Sequence, residues 1–245
     1  MFRGRYHVCD AFGIPIYVEM SFLFLLLLFV MDFGSFMFGV AAALALALSV
    51  TLHELGHTLT ARAFGYRTRD ITLSLLGGCA SLIALPRKAW QEFLTALAGP
   101  LVSFAISGSV LLLDVFGVEV ANAWLRNVLR YTFWMNIMLG AFNLLPGFPM
   151  DGGRVFRSVM CAFLTRSKAT LVAMWVGRVF AVLLGLRGIH SIVTNGPWGF
   201  ISILIAWMIW REGYREYLMA LDEERFTRWT QADFEARVSP PPYDR

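Results

Sequence analysis

Residues 36–63 have the sequence FMFGVAAALALALSVTLHELGHTLTARA, and this stretch decides the class of fold. Its first 17 residues, Phe36 to Leu52, carry no charged side chain. A helix that crosses a bilayer needs about 20 predominantly apolar residues. The apolar run then enters His53-Glu54-Leu55-Gly56-His57. The stretch therefore predicts a membrane helix with three ionisable side chains near one end.

The rest of the chain has the same apolar character. Of its 245 residues, 58% are hydrophobic and 16% are charged, against about 25% charged in soluble domains. The sequence predicts an all-α polytopic membrane protein with about six transmembrane helices and a small membrane-associated β segment. The expected spans are residues 15–31, 36–63, 90–113, 122–145, 170–189 and 198–217.

The basic residues indicate the orientation of these spans. An even number of spans puts both termini on one side. On that side lie most of the lysines and arginines, whereas the other side holds only Arg126, Arg130 and Arg187. Because basic loops stay in the cytosol, we expect cytosolic termini and an active site toward the cytosol, with a bacterial cytoplasmic membrane as the default location. The net charge of +4 then reflects topology and contact with lipid, and predicts no nucleic-acid partner.

The same pattern predicts the division of the chain. Residues 1–220 form the expected six-span membrane domain, and residues 221–245 a charged cytosolic tail that ends in Pro240-Pro241-Pro242. The three cysteines, Cys9, Cys79 and Cys161, are far apart and lack metal-binding or disulfide spacing. We expect them to be reduced.

Two segments interrupt the helical pattern. Ile71 to Leu75 alternate apolar and polar residues, which predicts a short strand that turns at Gly77-Gly78. Residues 143–153, NLLPGFPMDGG, hold two prolines and three glycines and cannot continue a regular helix. Unwound backbone at membrane depth must be buried in protein or line a wet cavity, so this break indicates a site.

His53-Glu54-Leu55-Gly56-His57 is an HExxH motif. On a helix, the i, i+4 spacing puts both imidazoles on one face, where they can bind one zinc ion. Glu54 can then act as general base toward a zinc-bound water. His53 lies about 26 Å along the expected span, where unpaired ionisable groups are costly. The alternatives are a polar contact between helices or part of an ion path.

A catalytic zinc takes a third protein ligand, and Asp151 is the best candidate. The expected fourth span brings Asp151 to the depth of the histidines, and the proline-glycine break precedes it. Asp is also a common helix N-cap, which is the alternative role for Asp151. The other acids in or beside spans are Glu19, Glu92 and Asp114.

The HELGH motif in one span and the later Asn143-Leu-Leu-Pro-Gly-Phe-Pro-Met-Asp151-Gly sequence together resemble the site-2 protease family of intramembrane zinc metalloproteases. Gly77-Gly78 and Ala98-Gly99-Pro100 also look like features of that family, whereas Met150 replaces its usual leucine. The resemblance implies that zinc is bound by His53, His57 and Asp151 and that Glu54 is the base. It further implies that Asn143 positions substrate or stabilises the oxyanion.

The same resemblance implies cleavage of a transmembrane protein substrate within or near the bilayer. Membrane-anchored transcriptional regulators, anti-sigma factors and leftover signal peptides are the substrate classes that the family suggests. We expect neither the PDZ nor the CBS domains found in some members, because no loop is long enough for a PDZ domain and only about two dozen residues follow Asp222. The sequence does not indicate an oligomeric state.

Three alternatives stay open from the sequence. The first two are a transporter or ion path and an inactive scaffold that binds helices. The third concerns not the function of the protein but the role of one segment. Ile71 to Leu75 could bind an unwound substrate by strand addition, or they could form a simple hairpin at the membrane surface.

Overall fold

The computed structural model describes residues 4–32, 35–74, 77–82, 88–195 and 199–238. The chain divides into two units, Met1–Leu145 and Pro146–Arg245. The first unit contains a small sheet and four helices, and the second contains three helices, counted over these described residues.

The first unit has a four-stranded sheet of strands β1 (Arg5–Ala11), β2 (Ile14–Glu19), β3 (Thr68–Ser74) and β4 (Gly77–Leu82), in the order β1-β2-β3-β4. Strands β2 and β3 are parallel, and the other two pairs are antiparallel. Phe12 and Gly13, both at positive φ (53° and 74°), form the turn between β1 and β2. The sheet confirms a β segment but is larger than the sequence predicted.

The first expected span, residues 15–31, was wrong at its start. Residues Ile14–Glu19 form strand β2, and helix α1 begins only at Met20 and ends at Asp32. Ile14 and Ile16 are each 3% exposed, because they pack in a core with Ile71 and Leu73 of β3. Buried sheet residues and lipid-facing helix residues are equally apolar, so composition did not separate them.

The predicted strand at Ile71 to Leu75 also differs from the structure. Strand β3 begins earlier, at Thr68, and Gly77-Gly78 open the next strand rather than forming the turn. Leu75 lies outside the described residues. Asp70 to Leu73 are all buried, because β3 pairs with a strand on each side. Strand β3 is therefore not an exposed edge, and the proposed strand addition there is wrong.

Three long helices complete the first unit: α2 (Phe36–Ala63), α3 (Ala89–Val115) and α4 (Ala123–Asn143). The Ser35 side chain caps α2 by accepting a bond from the amide of Phe38. Helices α2 and α3 pack closely at Gly56, where an added Cβ would lie 2.9 Å from the carbonyl oxygen of Ala98. This close approach brings α3 beside the HELGH segment.

The second unit contains α5 (Asp151–Met160), α6 (Arg166–Asn195) and α7 (Gly199–Val238). Residues 144–150, between α4 and α5, form no regular helix, as the prolines and glycines predicted. Helix α5 begins directly after this segment, at Asp151. Helix α7 continues unbroken through residue 220 to Val238, and the Pro240-Pro241-Pro242 end lies outside the described residues.

Three of the described helices are long and apolar enough to cross a membrane. They are α2, α3 and residues Arg166–Thr194 of α6, with mean hydropathies of 1.9, 2.0 and 2.0. The chain is therefore an integral membrane protein. The spans assigned to α1, α4 and α7 remain predictions.

Candidate metal centre

Helix α2 places the three ionisable residues of HELGH in the interior of the first unit. His53 is 3% exposed, and Glu54 and His57 are each 9% exposed. The Nε2 atoms of His53 and His57 lie 3.2 Å apart. Two nitrogens bound to one tetrahedral zinc at 2.0–2.1 Å would lie about 3.3 Å apart. The imidazoles are thus already spaced as a pair of zinc ligands.

Helix α3 orients both imidazoles through their other ring nitrogens. His57 Nδ1 lies 2.7 Å from the carbonyl oxygen of Thr95. Because a carbonyl oxygen only accepts hydrogen bonds, Nδ1 carries the proton, and Nε2 of the neutral ring has a lone pair for a metal. His53 Nδ1 lies 2.9 Å from Ser103 Oγ. Partners of this kind fix the orientation of metal-binding histidines.

Two glycines leave room around these side chains. A Cβ on Gly99 would lie 2.7 Å from His53 Nε2 and closer still to His57 Nε2. A Cβ on Gly78, in strand β4, would lie 2.8 Å from the Oε1 atom of Glu54. Any larger residue would fill the space beside the histidine nitrogens and the glutamate. The donor set and the space around it fit a bound metal ion.

Asp151, in the second unit, is the first residue of helix α5 and is half-buried. The N-cap position belongs to Met150, which makes no side-chain capping bond. The alternative role of Asp151 as the N-cap is therefore wrong. Its carboxylate lies in the first helical turn, where the helix dipole stabilises negative charge.

Glycine contacts fix the segment that leads to Asp151. A Cβ on Gly147 would lie 2.7 Å from the Cα of Gly177 in α6. A Cβ on Gly153 would likewise lie 2.7 Å from the carbonyl carbon of Gly147. The backbone before Asp151 therefore packs directly on α6 and on the first turn of α5.

The other candidate acids have different surroundings. Glu19 ends β2 and accepts a hydrogen bond from Ser21, 3.3 Å away, whereas Asp114 is exposed near the end of α3 and Glu92 is buried in its first turn. Within the described ranges, none of these three acids forms a metal-binding group with the two histidines. Asn143 is the last residue of α4, and its Nδ2 donates to the carbonyl oxygen of Leu139 at 2.9 Å.

Thr95 and Ser103 were not predicted as site residues. They contact the histidines only because of how α3 is aligned along α2. The sequence of α3 contains no pattern that predicts this alignment. Gly99 was noted only as a feature of the family, and its packing against the histidines explains why that position is small.

Paired imidazoles and a buried glutamate in a helix of membrane-spanning length define the class of site: a candidate metal centre of the HExxH peptidase type. Comparison with known families gives the same class. The model for peptidase family M50 matches residues 41–121 and 106–185. The chain belongs to this family, which confirms the resemblance to site-2 proteases.

Individual relatives agree with this assignment. A putative zinc metalloprotease of Synechocystis is 33% identical over 94% of the chain and 64% of its own length. A zinc metalloprotease of Methanocaldococcus jannaschii is 35% identical over 73% of the chain and 52% of its own length. The chain thus spans about half to two thirds of the length of these relatives. Both are described as zinc enzymes, so zinc is the metal that the comparisons support.

A solved structure also matches. It is a site-2 protease from Methanocaldococcus jannaschii, with a TM-score of 0.64 and 31% identity, over 87% of this chain and 95% of that one. At this identity, the match supports the family as well as the fold.

Proposed function

We propose that the protein is an intramembrane zinc metalloprotease that hydrolyses a peptide bond within or near the transmembrane segment of another membrane protein. The observation that carries the proposal is the 3.2 Å spacing of the His53 and His57 Nε2 atoms beside the buried Glu54. The family and the names of the relatives support the same activity.

The proposal gives each motif residue a role. His53, His57 and Asp151 each offer one ligand atom, a ring nitrogen or a carboxylate oxygen, and would hold the zinc. When bound, zinc would lower the pKa of a ligated water, so that the water can give up a proton and attack a peptide carbonyl near neutral pH. Glu54 accepts the proton of the attacking water and later passes it to the leaving amine. Asn143 positions the substrate or stabilises the oxyanion.

A helical substrate must unwind before its peptide bonds can be attacked, because intrahelical hydrogen bonds cover them. Strand addition to a sheet edge would keep an unwound segment extended. In the described sheet, β1 and β4 are the edge strands. Gly78 of β4 packs against Glu54, so we assign the substrate edge to β4. A segment paired there would pass close to the general base.

The proposed location is a bacterial cytoplasmic membrane, with six spans and the active site toward the cytosol. The positive-inside distribution of lysine and arginine supports this orientation. Membrane-anchored regulators or anti-sigma factors are the proposed substrates.

The test is cleavage of a single-span model substrate by the purified full chain in zinc-containing detergent. We expect wild type to cleave it and Glu54→Gln to be slower by about 100- to 10,000-fold, the usual contribution of a general base. Asp114→Asn is the matched control, since it removes an exposed acid near the end of α3. Wild type without cleavage, or Glu54→Gln cleaving at the wild-type rate, would overturn the proposal.

A further inference from the structure

Arg157 of α5 is charged and 2% exposed, which makes it one of the most buried side chains in the second unit. Its Nη1 donates to the Oε2 atom of Glu216 on α7 at 3.0 Å, and the Glu216 side chain is 15% exposed. A charge this deeply buried is costly without a close partner of opposite sign. The position of Arg157 therefore depends on Glu216.

Glu216 contacts a second arginine of the same helix. Its Oε1 atom lies 3.8 Å from Nη2 of Arg154. Arg154 and Arg157 are three residues apart on α5, so they project from the same helix face. One carboxylate of α7 thus contacts two successive turns of α5, beginning in the turn that carries Asp151.

Arg157 also contacts the unwound segment before Asp151. Its guanidinium carbon lies 4.9 Å from the centre of the Phe148 ring, and Phe148 is 1% exposed. Phe148 precedes Asp151 by three residues, and Arg157 follows it by six. The Arg157 side chain therefore connects the backbone on both sides of Asp151.

Helix α5 needs such support. It has only 10 residues, and its N-cap Met150 makes no side-chain capping bond. Isolated helices of this length are marginal, so tertiary contacts set the orientation of the first turn. A ligand must be held to within about 0.5 Å of its productive position.

We propose that Glu216 is a positioning residue for metal binding: through Arg157 and Phe148 it holds the first turn of α5 so that the Asp151 carboxylate keeps a ligating orientation. This inference rests on the proposed role of Asp151 as a zinc ligand. It assigns to α7, whose sequence contains no HExxH motif, a part in the metal centre.

The test uses the full chain purified in detergent and loaded with Co²⁺ in place of zinc. Metal affinity is measured by competition with a chelator, and the ligand field by the visible spectrum of Co²⁺. We expect Glu216→Gln to weaken affinity by about 10- to 100-fold, the usual effect of losing a partner behind a ligand, and to alter the spectrum. Arg157→Lys is the milder second variant if Glu216→Gln does not fold, with the same direction of change expected.

Glu223→Gln is the matched control. Glu223 is also an acid of α7, and its Oε2 atom lies 3.6 Å from Nε of Arg166 at the start of α6. We expect wild-type affinity and spectrum from this variant. If the Glu216 pair only stabilised the fold, the folded fraction of Glu216→Gln would bind Co²⁺ like wild type.

Asp151→Ala separates the two proposals. If Asp151→Ala weakens Co²⁺ binding and Glu216→Gln does not, the positioning role is overturned and the zinc-ligand assignment stands. If Asp151→Ala binds Co²⁺ with wild-type affinity, the ligand assignment is overturned, and the positioning role with it.

Discussion

At the scale of single residues, the metal centre depends on which atoms surround the two imidazoles. The Nδ1 atoms of His57 and His53 are hydrogen-bonded to the carbonyl oxygen of Thr95 and the hydroxyl of Ser103, respectively. The two Nε2 atoms therefore face each other, 3.2 Å apart. Gly99 supplies the remaining space, because any side chain there would meet both nitrogens. The HExxH motif alone does not create these conditions; helix α3 does.

Gly99→Ala therefore tests the site at this scale. The added methyl would lie 2.7 Å from His53 Nε2, so we expect a loss of zinc affinity of at least about 10-fold, comparable to losing an outer partner. Chelator competition on the purified protein measures it. Gly108→Ala in the same helix is the control, since a Cβ there meets no atom within 4 Å. Equal zinc affinity in the two variants would contradict the assigned role of Gly99.

The sequence carries a signal for the proposed ligands and base, but none for the residues that orient them. His53, Glu54 and His57 form a recognisable spacing, and Asp151 follows an unusual run of prolines and glycines. Thr95 and Ser103 are ordinary residues of an apolar helix, and only their register against α2 gives them a role. The roles assigned to His53, Glu54, His57, Asp151 and Asn143 in the chemistry remain predictions.

At the scale of elements, helices α2, α3 and α4 are joined by buried polar contacts. Asn136 of α4, which is fully buried, donates from Nδ2 to Ser49 Oγ of α2 at 2.9 Å. Ser107 of α3 donates to the carbonyl oxygen of Phe133 in α4 at 3.0 Å. In lipid, hydrogen bonds between helices supplement close packing, since no hydrophobic force drives helices together.

Asn136→Ala should therefore destabilise the packing of α4 on α2. We expect a loss of about 0.6 to 2 kcal/mol in the free energy of unfolding, the range for such bonds between membrane helices. Unfolding by SDS in mixed micelles, followed by circular dichroism, measures it. Thr132→Ala is the control, because its hydroxyl bonds within α4, to the carbonyl oxygen of Val128. An Asn136→Ala variant as stable as this control would show that the bond adds nothing.

The elements also show where sequence patterns fail. Apolar length correctly located α2 and α3, because an uninterrupted hydrophobic run of that length is typical of a membrane helix and too long for a buried strand. It failed at residues 15–19, which belong to strand β2, because the buried Ile16 there is as apolar as a residue of the membrane helix that follows. It also failed to show that β3 is internal, since one of its two neighbours, β2, comes from a distant part of the chain, with Ile16 paired to Ile71.

At the scale of the whole molecule, the residues proposed for the chemistry come from two motifs that are far apart in the chain. His53, Glu54 and His57 belong to Met1–Leu145, and Asp151 belongs to Pro146–Arg245. The sequence predicted a third ligand outside the HExxH helix, because that helix supplies two ligands and a catalytic zinc takes three. The charged end of α7 forms ion pairs within the second unit, Glu223 with Arg166 and Glu224 with Arg228. Hydrogen bonds from Ser167 and Arg228 lower the pKa of Glu224.

The zinc content of the full chain, purified in detergent under zinc-replete conditions, tests the central claim most directly. We predict about one zinc per chain in wild type, the same in Glu54→Gln, and much weaker binding in Asp151→Ala, because the first change removes a base and the second a ligand. Wild type without zinc would contradict the metalloprotease assignment, and full zinc affinity in Asp151→Ala would contradict the proposed third ligand.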